Sequence, residues 1–438
     1  MAGIDFLVQP GGCLRGELQV PGDKSISHRF VILGSIASGE STASGFLHGE
    51  DTLATVAALR AMGVEIHGPE AGCLRIQGVG RGGLAAPGAC LDMGNSGTAM
   101  RLMCGLLAGQ RFDSALHGDA SLNRRPMARV IDPLRSMGAQ IDSAGDGRPP
   151  LRIHGRRQSL EPIDYAMPVA SAQVKSCLLL AGLYAEGQIV IHEPAPSRDH
   201  SERMLRSFGA QVSVTGLRVS MPGGANLKAQ HIEIPTDISS AAFFMAGACI
   251  APGSSLLLRQ VGINPSRTGV LHILRRMGAD ISASNEHHAG GELVADLRIN
   301  HRPLRGIEIP VEVVPLAIDE FPALMVAAAF AEGDTLLRGA RELRVKESDR
   351  IASVSAGLRE LGIAVDEFDD GLCVHGGPVG GGSIDSQGDH RIAMAFSMAA
   401  LGASDPVRIK DCANVNTSFP GFAELASSHG LAIQELRA

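Results

Sequence analysis

The sequence predicts an α/β protein with two domains, each containing three repeats of about seventy residues. Three observations support this prediction. A Leu-Arg-x-x-Gly segment recurs, almost wholly apolar helical stretches alternate with it, and a strand-like segment precedes each apolar stretch. Near-copies at such even spacing indicate a repeated structural unit rather than chance. The recurring glycines are 68 to 84 residues apart: Gly63, Gly138, Gly209, Gly278, Gly362 and Gly430.

Each recurring segment, such as "LRSMGAQI" from Leu134, predicts the end of a helix, a glycine cap and a short strand. Glycine suits the cap because it adopts a positive φ at no steric cost. Upstream of Gly362, the apolar residues Ile351, Val354 and Leu358 follow helical spacing.

The apolar stretches, such as "KSISHRFVILGSIASG" and "NSGTAMRLMCGLLAG", predict a second series of helices that are deeply buried. Strand-like segments such as "CLDMG" and "VEVVPLAI" precede them. The first turn of each helix is polar. Because a helix N-terminus carries unpaired N–H groups and partial positive charge, these starts predict anion sites. They contain Lys24, Ser96, Ser171, Asp237, Asp319 and Asp389.

Arginines also recur, near the starts of the helices that end at the repeat glycines. A cation there opposes the helix dipole, so either an anion or a carboxylate should lie beside it; solvated surface arginines are the alternative. In "RVKESDR", helical spacing would place Lys346, Glu347 and Arg350 on one face. The four arginines stand 11 to 13 residues before their glycines: Arg125, Arg198, Arg267 and Arg350.

Composition excludes several function classes. A net charge of -7 argues against nucleic-acid binding through bulk charge, and 3% aromatic residues without tryptophan argue against base stacking. The eight cysteines form no CxxC motif and are interpreted as reduced core thiols, with no metal site. No apolar run reaches the ~18 residues of a membrane span. The N-terminus lacks a secretory signal, so a cytoplasmic protein is expected.

Seven segments, in family order, resemble the 5-enolpyruvylshikimate-3-phosphate synthase family: "PGDKSISHR", "GNSGTAMR", "RRPM", "SAQVKS", "DEFP", "RVKESDR" and "GDHRIAM". The resemblance implies a two-domain inside-out α/β barrel of six βαβαββ repeats, with the active site in the interdomain cleft. It places one domain at 21–237, with Lys24, Arg125 and Ser171. The other comprises 1–20 and 238–438, with Asp319, Lys346 and Arg391.

The resemblance implies transfer of the enolpyruvyl group of phosphoenolpyruvate to the 5-hydroxyl of shikimate 3-phosphate, without metal or organic cofactor. Asp319 would take the hydroxyl proton, and Glu347 and Lys24 would exchange a proton at the methylene carbon. The implied shikimate-phosphate ligands are Lys24, Ser25, Arg29, Ser171, Ala172, Gln173, Arg198, Asp319 and Lys346. Those for phosphoenolpyruvate are Lys24, Gly97, Arg125, Gln173, Arg350 and Arg391. The partners would be these small molecules alone, with no nucleic acid or membrane, and the enzyme a monomer.

Some features depart from one branch of this family. A lysine expected before "TFP" is absent from "NVNTSFP" at Asn414, while "RDHSE" from Arg198 and "NPSR" from Asn264 resemble the second, often glyphosate-tolerant branch. A UDP-sugar enolpyruvyl transferase is an alternative, but "GDASLNRRPM" lacks its loop cysteine. An RNA 3′-end processing protein and a non-catalytic anion sensor are further alternatives.

Overall fold

Twelve α-helices and six small sheets make up the computed structural model, which describes residues 3–437. The helices are α1 Lys24–Ile36, α2 Glu50–Ala61, α3 Gly97–Ala108, α4 Ala128–Ser136, α5 Ala172–Gly182, α6 His200–Ser207, α7 Ile238–Ile250, α8 Gly269–Arg276, α9 Phe321–Ala329, α10 Arg350–Glu360, α11 His390–Ala399 and α12 Phe422–Ser428. None of these helices is both long and apolar enough to cross a membrane.

The strands are short and belong to sheets of three or four. They are β1 Ile4–Val8, β2 Arg15–Leu18, β3 Ser38–Ser44, β4 Glu65–Glu70, β5 Cys73–Val79, β6 Leu91–Asp92, β7 Ser114–His117, β8 Ile141–Ala144, β9 Arg148–Ile153, β10 Asp164–Ala166, β11 Gln188–His192, β12 Ser213–Thr215, β13 Arg218–Pro222, β14 His231–Glu233, β15 Ser255–Gly262, β16 Asp280–Ala289, β17 Glu292–Asn300, β18 Asp334–Leu337, β19 Ala364–Phe368, β20 Gly371–His375, β21 Gly382–Asp385, β22 Val407–Lys410 and β23 Ile433–Arg437.

The chain divides into two compact units. Unit 1 comprises the described residues up to Pro21, then Thr236–His287 and 293–437; unit 2 comprises Gly22–Pro235 and His288–Glu292. The two ends of the long unit 2 segment are joined, because the Asp23 amide donates to the Pro235 carbonyl at 2.9 Å. The corresponding ends in unit 1 are also joined, because the Asp237 amide donates to the Pro21 carbonyl at 2.9 Å.

The sheets repeat one topology, and the predicted two-domain α/β fold with repeated βαβαββ units is confirmed. In the order β6-β7-β9-β8, the first pair is parallel and the other two pairs are antiparallel. The same pattern holds in β10-β11-β13-β12, and in β21-β22-β1-β23, where the N-terminal strand β1 completes the last repeat.

One predicted strand is absent from this pattern. "VEVVPLAI" forms a 3-10 helix at Val311–Ala317 instead. Proline has no N–H to donate to a sheet, and Pro310 and Pro315 flank and interrupt this segment. The sheet β18-β20-β19 therefore has three strands, extended only by an isolated parallel bridge between Glu308 and Leu336.

The apolar helices lie at the centres of the units, as predicted. Every residue of α7, α9 and α11 is buried in the core of unit 1. In unit 2, α1, α3 and α5 are buried beyond their first turns, with Phe30, Leu102 and Leu179 in the core. Apolar side chains on all faces explain this position, because such a helix has no face suited to solvent.

The repeat glycines end their helices as predicted, with φ between +85° and +111°. The arginine of the Leu-Arg pair has a recurring contact that the sequence did not reveal. In five repeats its side chain donates to the carbonyl six residues later, at 2.5 to 3.2 Å, and so closes the turn into the next strand. The pairs are Arg60–Ile66, Arg135–Ile141, Arg206–Val212, Arg275–Ile281 and Arg359–Val365.

The interpretation of all eight cysteines as core thiols is wrong for half of them. Cys104, Cys177, Cys249 and Cys412 are buried, but Cys73 and Cys90 are exposed, and Cys13 and Cys373 are half-buried. Cys73 follows an alternating pattern on β5, where successive side chains point to opposite faces, so its position outside the core is a consequence of strand geometry.

Candidate active site

The polar starts of α1, α3 and α5 act first as helix caps. Asp23 accepts a hydrogen bond from the Ile26 amide at 2.8 Å, and Ser96 accepts one from the Ala99 amide at 3.1 Å. Ser171 accepts one from the Val174 amide at 3.4 Å. These side chains satisfy one orphan donor each, and the remaining N–H groups of the first turns keep the positive end of each dipole.

Side-chain contacts bring these helix starts together within unit 2. Gln173, at the start of α5, donates to Thr98 Oγ1 at 2.9 Å and accepts from Arg101 Nη1 at 2.7 Å. Thr98 and Arg101 both belong to the first turns of α3. Ala172 and Gln173 are half-buried at the start of α5, so their polar groups remain open to small molecules.

His28 links α1 to its neighbours from inside the unit. Its Nδ1 lies 2.8 Å from Thr55 Oγ1, and its Nε2 lies 3.3 Å from Ser96 Oγ. Burial, with the nearby cations Lys24 and Arg29, holds the pKa of His28 well below its usual value. The imidazole is therefore neutral at pH 7 and acts as a fixed spacer between α1 and α3.

Lys24 is the first residue of α1, and Asp51 holds its ammonium. Lys24 Nζ donates to Asp51 Oδ2 at 2.9 Å, and the two side chains are 16% and 8% exposed. Asp51 lies in the first turn of α2 and was not predicted from the sequence. This pair keeps Lys24 oriented and leaves part of its ammonium accessible.

Arg29 is buried and its guanidinium is held by neighbours within unit 2. Its Nε donates to Ser201 Oγ at 2.7 Å, and its Nη2 donates to Ser176 Oγ at 2.8 Å. Its Nη1 donates to the Ser25 carbonyl at 2.9 Å, one turn earlier on α1. The half-buried Arg198 lies just before α6, the helix that carries Ser201.

Gly97 begins α3 beneath two guanidinium groups. A Cβ at Gly97 would lie 2.9 Å from Arg101 Nη1 and 3.2 Å from Arg125 Nη1. Arg125 is buried, and its Nη2 donates to Asn95 Oδ1 at 2.5 Å. The absence of a side chain at Gly97 therefore lets both arginines approach the N-terminus of α3.

A buried cluster of three charged side chains connects the elements that carry this site. Lys175 on α5 is 1% exposed and forms salt bridges with Glu193 at 2.8 Å and Glu202 at 2.6 Å. Burial raises the pKa of Glu202, although Lys175 opposes the rise. The three groups join α5, the end of β11 and α6.

Unit 1 carries a second cluster, centred on Asp319. Its Oδ1 lies 3.3 Å from Lys346 Nζ and 3.4 Å from Arg350 Nη1, and its Oδ2 lies 4.0 Å from Arg391 Nη2. Arg391 Nη1 also donates to the Asp319 carbonyl at 3.0 Å. Three cations thus surround a carboxylate that remains 15% exposed.

Arg350 is the buried anchor of this cluster, with 1% of its side chain exposed. Its Nε donates to Asp389 Oδ2 at 2.8 Å, and its Nη2 donates to Glu347 Oε2 at 2.6 Å. Burial alone would lower the pKa of Arg350, but Asp389 and Glu347 outweigh burial and raise it. Burial likewise would raise the pKa of Asp389, and Arg350 keeps it below its usual value.

One prediction about this cluster is wrong in detail. Lys346 and Glu347 do not share a helical face with Arg350, because α10 begins at Arg350 with Asp349 as its N-cap. Lys346 and Glu347 instead belong to the non-helical turn after a 3-10 helix at Arg341–Val345. Asp319 lies one residue before Glu320, which occupies the N-cap position of α9.

Comparison with known proteins identifies the family. The family model described as EPSP synthase (3-phosphoshikimate 1-carboxyvinyltransferase) matches residues 8–425. The chain belongs to the EPSP synthase family. A 3-phosphoshikimate 1-carboxyvinyltransferase of Methylococcus capsulatus is 62% identical over 431 residues, which is 98% of both chains. One of Alkalilimnicola ehrlichii is 61% identical, over 98% of this chain and 96% of the relative.

Solved structures give the same family. An EPSP synthase structure from Acinetobacter baumannii, 52% identical, superposes with a TM-score of 0.89 and covers 99% of this chain and 100% of that one. EPSP synthases transfer the enolpyruvyl group of phosphoenolpyruvate to shikimate 3-phosphate. Membership makes the chain a transferase of the shikimate pathway, which leads to the aromatic amino acids.

Arg267 is one of the helix-start arginines that were predicted to lie beside an anion or a carboxylate. It has a carboxylate partner. It is buried just before α8, and its Nη2 donates to Asp237 Oδ1 at 2.9 Å and to Ser239 Oγ at 2.7 Å. Arg350 also meets carboxylates, so in unit 1 the predicted partners of both arginines are acidic side chains.

Several site residues were missed. Arg101 ends the quoted segment "GNSGTAMR" and could have been nominated from it. Asp51 meets Lys24 only through a tertiary contact, and no spacing in the sequence marks it; Asp389 was predicted at a helix start, but its pairing with Arg350 was not.

Within residues 3–437, one group of side chains has the geometry to hold a metal ion. Candidate ligand atoms of Asp334, Cys373 and His375 lie within 4.8 Å of one another, on β18 and β20. The two ring nitrogens of His375 already contact Asp334 at 2.8 Å and Asp366 at 3.0 Å. A metal would have to displace one of these contacts.

Proposed function

We propose that the unit 2 cluster around Lys24 and the unit 1 cluster around Asp319 act on the same pair of bound substrates. The observation that carries this proposal is that each cluster gathers cations at the starts of buried helices. Both substrates are multiply charged anions, so cations and helix dipoles offset their mutual repulsion. Holding both in one place supplies a large part of the rate acceleration.

For shikimate 3-phosphate, the proposed ligands combine cations with the start of α5. Lys24 and Lys346 would offset the phosphate charge, and the half-buried Ser171 and Gln173 would donate or accept hydrogen bonds. Ser25, Arg29, Ala172, Arg198 and Asp319 complete the proposed set. Arg29 would act chiefly by fixing the α1 turn, since its nitrogens already donate to Ser201, Ser176 and the Ser25 carbonyl.

For phosphoenolpyruvate, the proposed ligands are arginines arranged for phosphate and carboxylate groups. Arg125 approaches Gly97 in unit 2, and Arg350 and Arg391 flank Asp319 in unit 1. Guanidinium groups bind both anions through paired N–H donors. Lys24, Gly97 and Gln173 complete this set.

The proposed mechanism assigns one proton transfer to Asp319 and another to Glu347 or Lys24. Asp319 accepts the proton of the 5-hydroxyl as that oxygen bonds to the central carbon of phosphoenolpyruvate. Glu347 or Lys24 donates a proton to the methylene carbon, which becomes a methyl group. Glu347 or Lys24, deprotonated by that donation, then takes one proton back from the methyl group as the C–O bond to phosphate breaks, which restores the double bond; the hydroxyl proton held by Asp319 leaves with the phosphate, so atoms and charge balance.

We further infer a monomer, because one chain supplies both clusters, and a cytoplasmic location, because its phosphorylated substrates do not cross membranes freely. The motifs at Arg198 and Asn264 favour the second family branch. Each motif supplies one partner of a buried salt bridge. Glu202 pairs with Lys175, and Arg267 pairs with Asp237.

One assay tests the proposal. Purified protein should release phosphate only when phosphoenolpyruvate and shikimate 3-phosphate are both present, and EDTA should make no difference. Alanine variants of Lys24 and Arg391 should each lose turnover, because each cluster is required. Retention of full turnover by either variant would show that one cluster alone performs the reaction.

A further inference from the structure

A cavity of about 600 Å³ lies in unit 2, at the end of the central helices away from Lys24. It is lined by residues that directly follow the three helices: Ser38 after α1, Gly109 and Gln110 after α3, and Tyr184 after α5. Since α1 has 13 residues, the cavity is ~20 Å from the helix starts. It is therefore separate from the unit 2 cluster described above.

Three arginines line this cavity, and none has an acidic partner. Arg81, Arg111 and Arg156 face it, and no salt bridge joins any of them to a carboxylate in residues 3–437. Burial, with the nearby Arg111 and Arg81, lowers the pKa of Arg156. Glu186 offsets part of this repulsion at Arg156, but one carboxylate does not balance three cations, so a bound anion would stabilise this arrangement.

Capping of helix ends explains part of the cluster. Arg81 Nη1 donates to the Leu183 carbonyl at 2.6 Å, and Arg156 Nε donates to the Gly109 carbonyl. Cations at helix C-termini are favourable. Arg111 is exposed at the rim of the cavity, and its guanidinium makes no hydrogen bond in the described part of the chain, so capping does not account for it. Most N–H donors of the three side chains thus remain available.

Tyr184 packs against two of these arginines and borders the cavity. It is 5% exposed, and its ring lies 6.0 Å from the guanidinium of Arg81 and 5.9 Å from that of Arg156. Its hydroxyl lies beside Gln110 but, among the described residues, makes no hydrogen bond of normal geometry. The hydroxyl oxygen is itself buried, so a bound anion would lie beside the two guanidinium groups and the ring of Tyr184 rather than against this oxygen.

We propose that this cavity, formed by Arg81, Arg111, Arg156 and Tyr184, binds a small diphosphate or polyphosphate. Planar guanidinium groups pair with phosphate oxygens through two donors at once, and three such groups match an anion with several charges. The proposal does not depend on the assigned reaction, because the site lies at the opposite ends of the helices.

The tyrosine content gives a local probe of this site. The chain has two tyrosines and no tryptophan, so Tyr165→Phe leaves Tyr184 as the only strong emitter. Inorganic pyrophosphate, which is transparent at the excitation wavelength, should change the emission of Tyr184 in a saturable way. Binding to the unit 2 cluster around Lys24 would not alter the surroundings of Tyr184 directly.

Two variants in the Tyr165→Phe background make the test specific. Arg111→Ala removes a guanidinium without breaking any hydrogen bond of the described residues, and should weaken pyrophosphate binding at least ~10-fold, as expected for lost charge-assisted hydrogen bonds. Arg75→Ala is the control. Arg75 is exposed near the start of β5, whereas Arg81 follows the end of that strand, and loss of Arg75 should change binding less than ~2-fold.

Three results would overturn the proposal. One is no saturable emission change with pyrophosphate. Another is an equal effect of Arg111→Ala and Arg75→Ala, which would show that the emission change depends on overall positive charge and not on a specific site. The third is citrate binding as tightly as pyrophosphate, because the site would then select carboxylates equally well. Circular dichroism would verify that each variant is folded.

Discussion

Asp319 Oδ1 lies 3.3 Å from Lys346 Nζ, although the two residues are separated by α9, β18 and a 3-10 helix. The same oxygen lies 3.4 Å from the buried Arg350. A carboxylate meant only to neutralise Arg350 would be redundant, because Asp389 and Glu347 already bond that guanidinium. The partial exposure of Asp319 instead suits a group that meets a substrate.

We expect Asp319→Asn to reduce turnover by ~10²–10⁴-fold, the usual contribution of a general base, since the amide keeps its shape but cannot accept the proton. The affinity for shikimate 3-phosphate should change much less. Steady-state kinetics and calorimetric titration would measure the two effects. Asp369→Asn, at an exposed position in unit 1, is the matched control. Near-normal turnover in Asp319→Asn would reduce Asp319 to a structural counter-ion.

Gly97→Ala should discriminate between phosphoenolpyruvate and the inhibitor glyphosate. The added methyl group would meet Arg101 and Arg125 at 2.9 and 3.2 Å, so both guanidinium groups must shift. We expect glyphosate, the longer anion, to lose ~1–3 kcal/mol of binding, the scale of overpacking, and phosphoenolpyruvate to lose less. Inhibition and Michaelis constants would measure this difference.

The control for this substitution is Gly88→Ala, where a methyl group would meet nothing within 4 Å. It should leave both constants unchanged. If Gly97→Ala shifts the two constants equally, Gly97 does not discriminate between the ligands, and any tolerance to glyphosate has another origin.

Lys175→Met should destabilise the protein by ~3–5 kcal/mol, because it leaves Glu193 and Glu202 buried without their shared cation. Urea denaturation would measure the loss. Lys228→Met removes the same charge at an exposed position and should have little effect. A loss in Lys175→Met no larger than in Lys228→Met would mean that water already stabilises the two carboxylates.

The lowered pKa of His28 predicts that the folded protein loses stability in mild acid. Its pKa is lower in the folded protein than the ~6.5 of the unfolded chain, so below pH ~6.5 the unfolded state binds a proton that the folded state does not. Stability should therefore be complete above pH ~6.5 and fall as the pH decreases, by at most ~1.4 kcal/mol per pH unit from this group.

Thermal unfolding from pH 7.5 to 5 would test this dependence. His28→Gln cannot titrate and should show a shallower decline than the parent protein. His375→Gln should show a steeper decline, because Asp334 and Asp366 raise the pKa of His375 and its protonation favours the folded state in acid. Identical slopes in the parent protein and His28→Gln would contradict the assignment of a buried neutral imidazole.

Local patterns in the sequence predicted much of the fold. The repeat glycines all have the expected positive φ, because the requirement for glycine at a helix end is a property of the local backbone. The helices α7, α9 and α11 are buried as expected, because side chains that are apolar on every face have no alternative. The strand expected in "VEVVPLAI" failed because its prolines outweighed its β-branched residues.

The contacts between distant side chains could not be predicted. Helical spacing suggested that Lys346 and Arg350 meet on one helix, but they meet around Asp319, which precedes a different helix. The pairing of Lys24 with Asp51 depends on the packing of α1 against α2. The arginines at Arg81, Arg111 and Arg156 share no motif, and only the fold gathers them around a cavity.

The hydrogen bonds at Pro21 and Pro235 have a consequence for gene engineering. The termini of the segment Gly22–Pro235 are neighbours, as are the two ends of unit 1 at Pro21 and Asp237. Removal of Gly22–Pro235 would therefore leave Pro21 and Thr236 close enough for a short linker, although His288–Glu292 of unit 2 would stay with the other polypeptide. The enzyme could accordingly be expressed as two separate polypeptides, in one of which a linker joins residue 21 to residue 236. Mixing the two polypeptides would test whether they reconstitute activity.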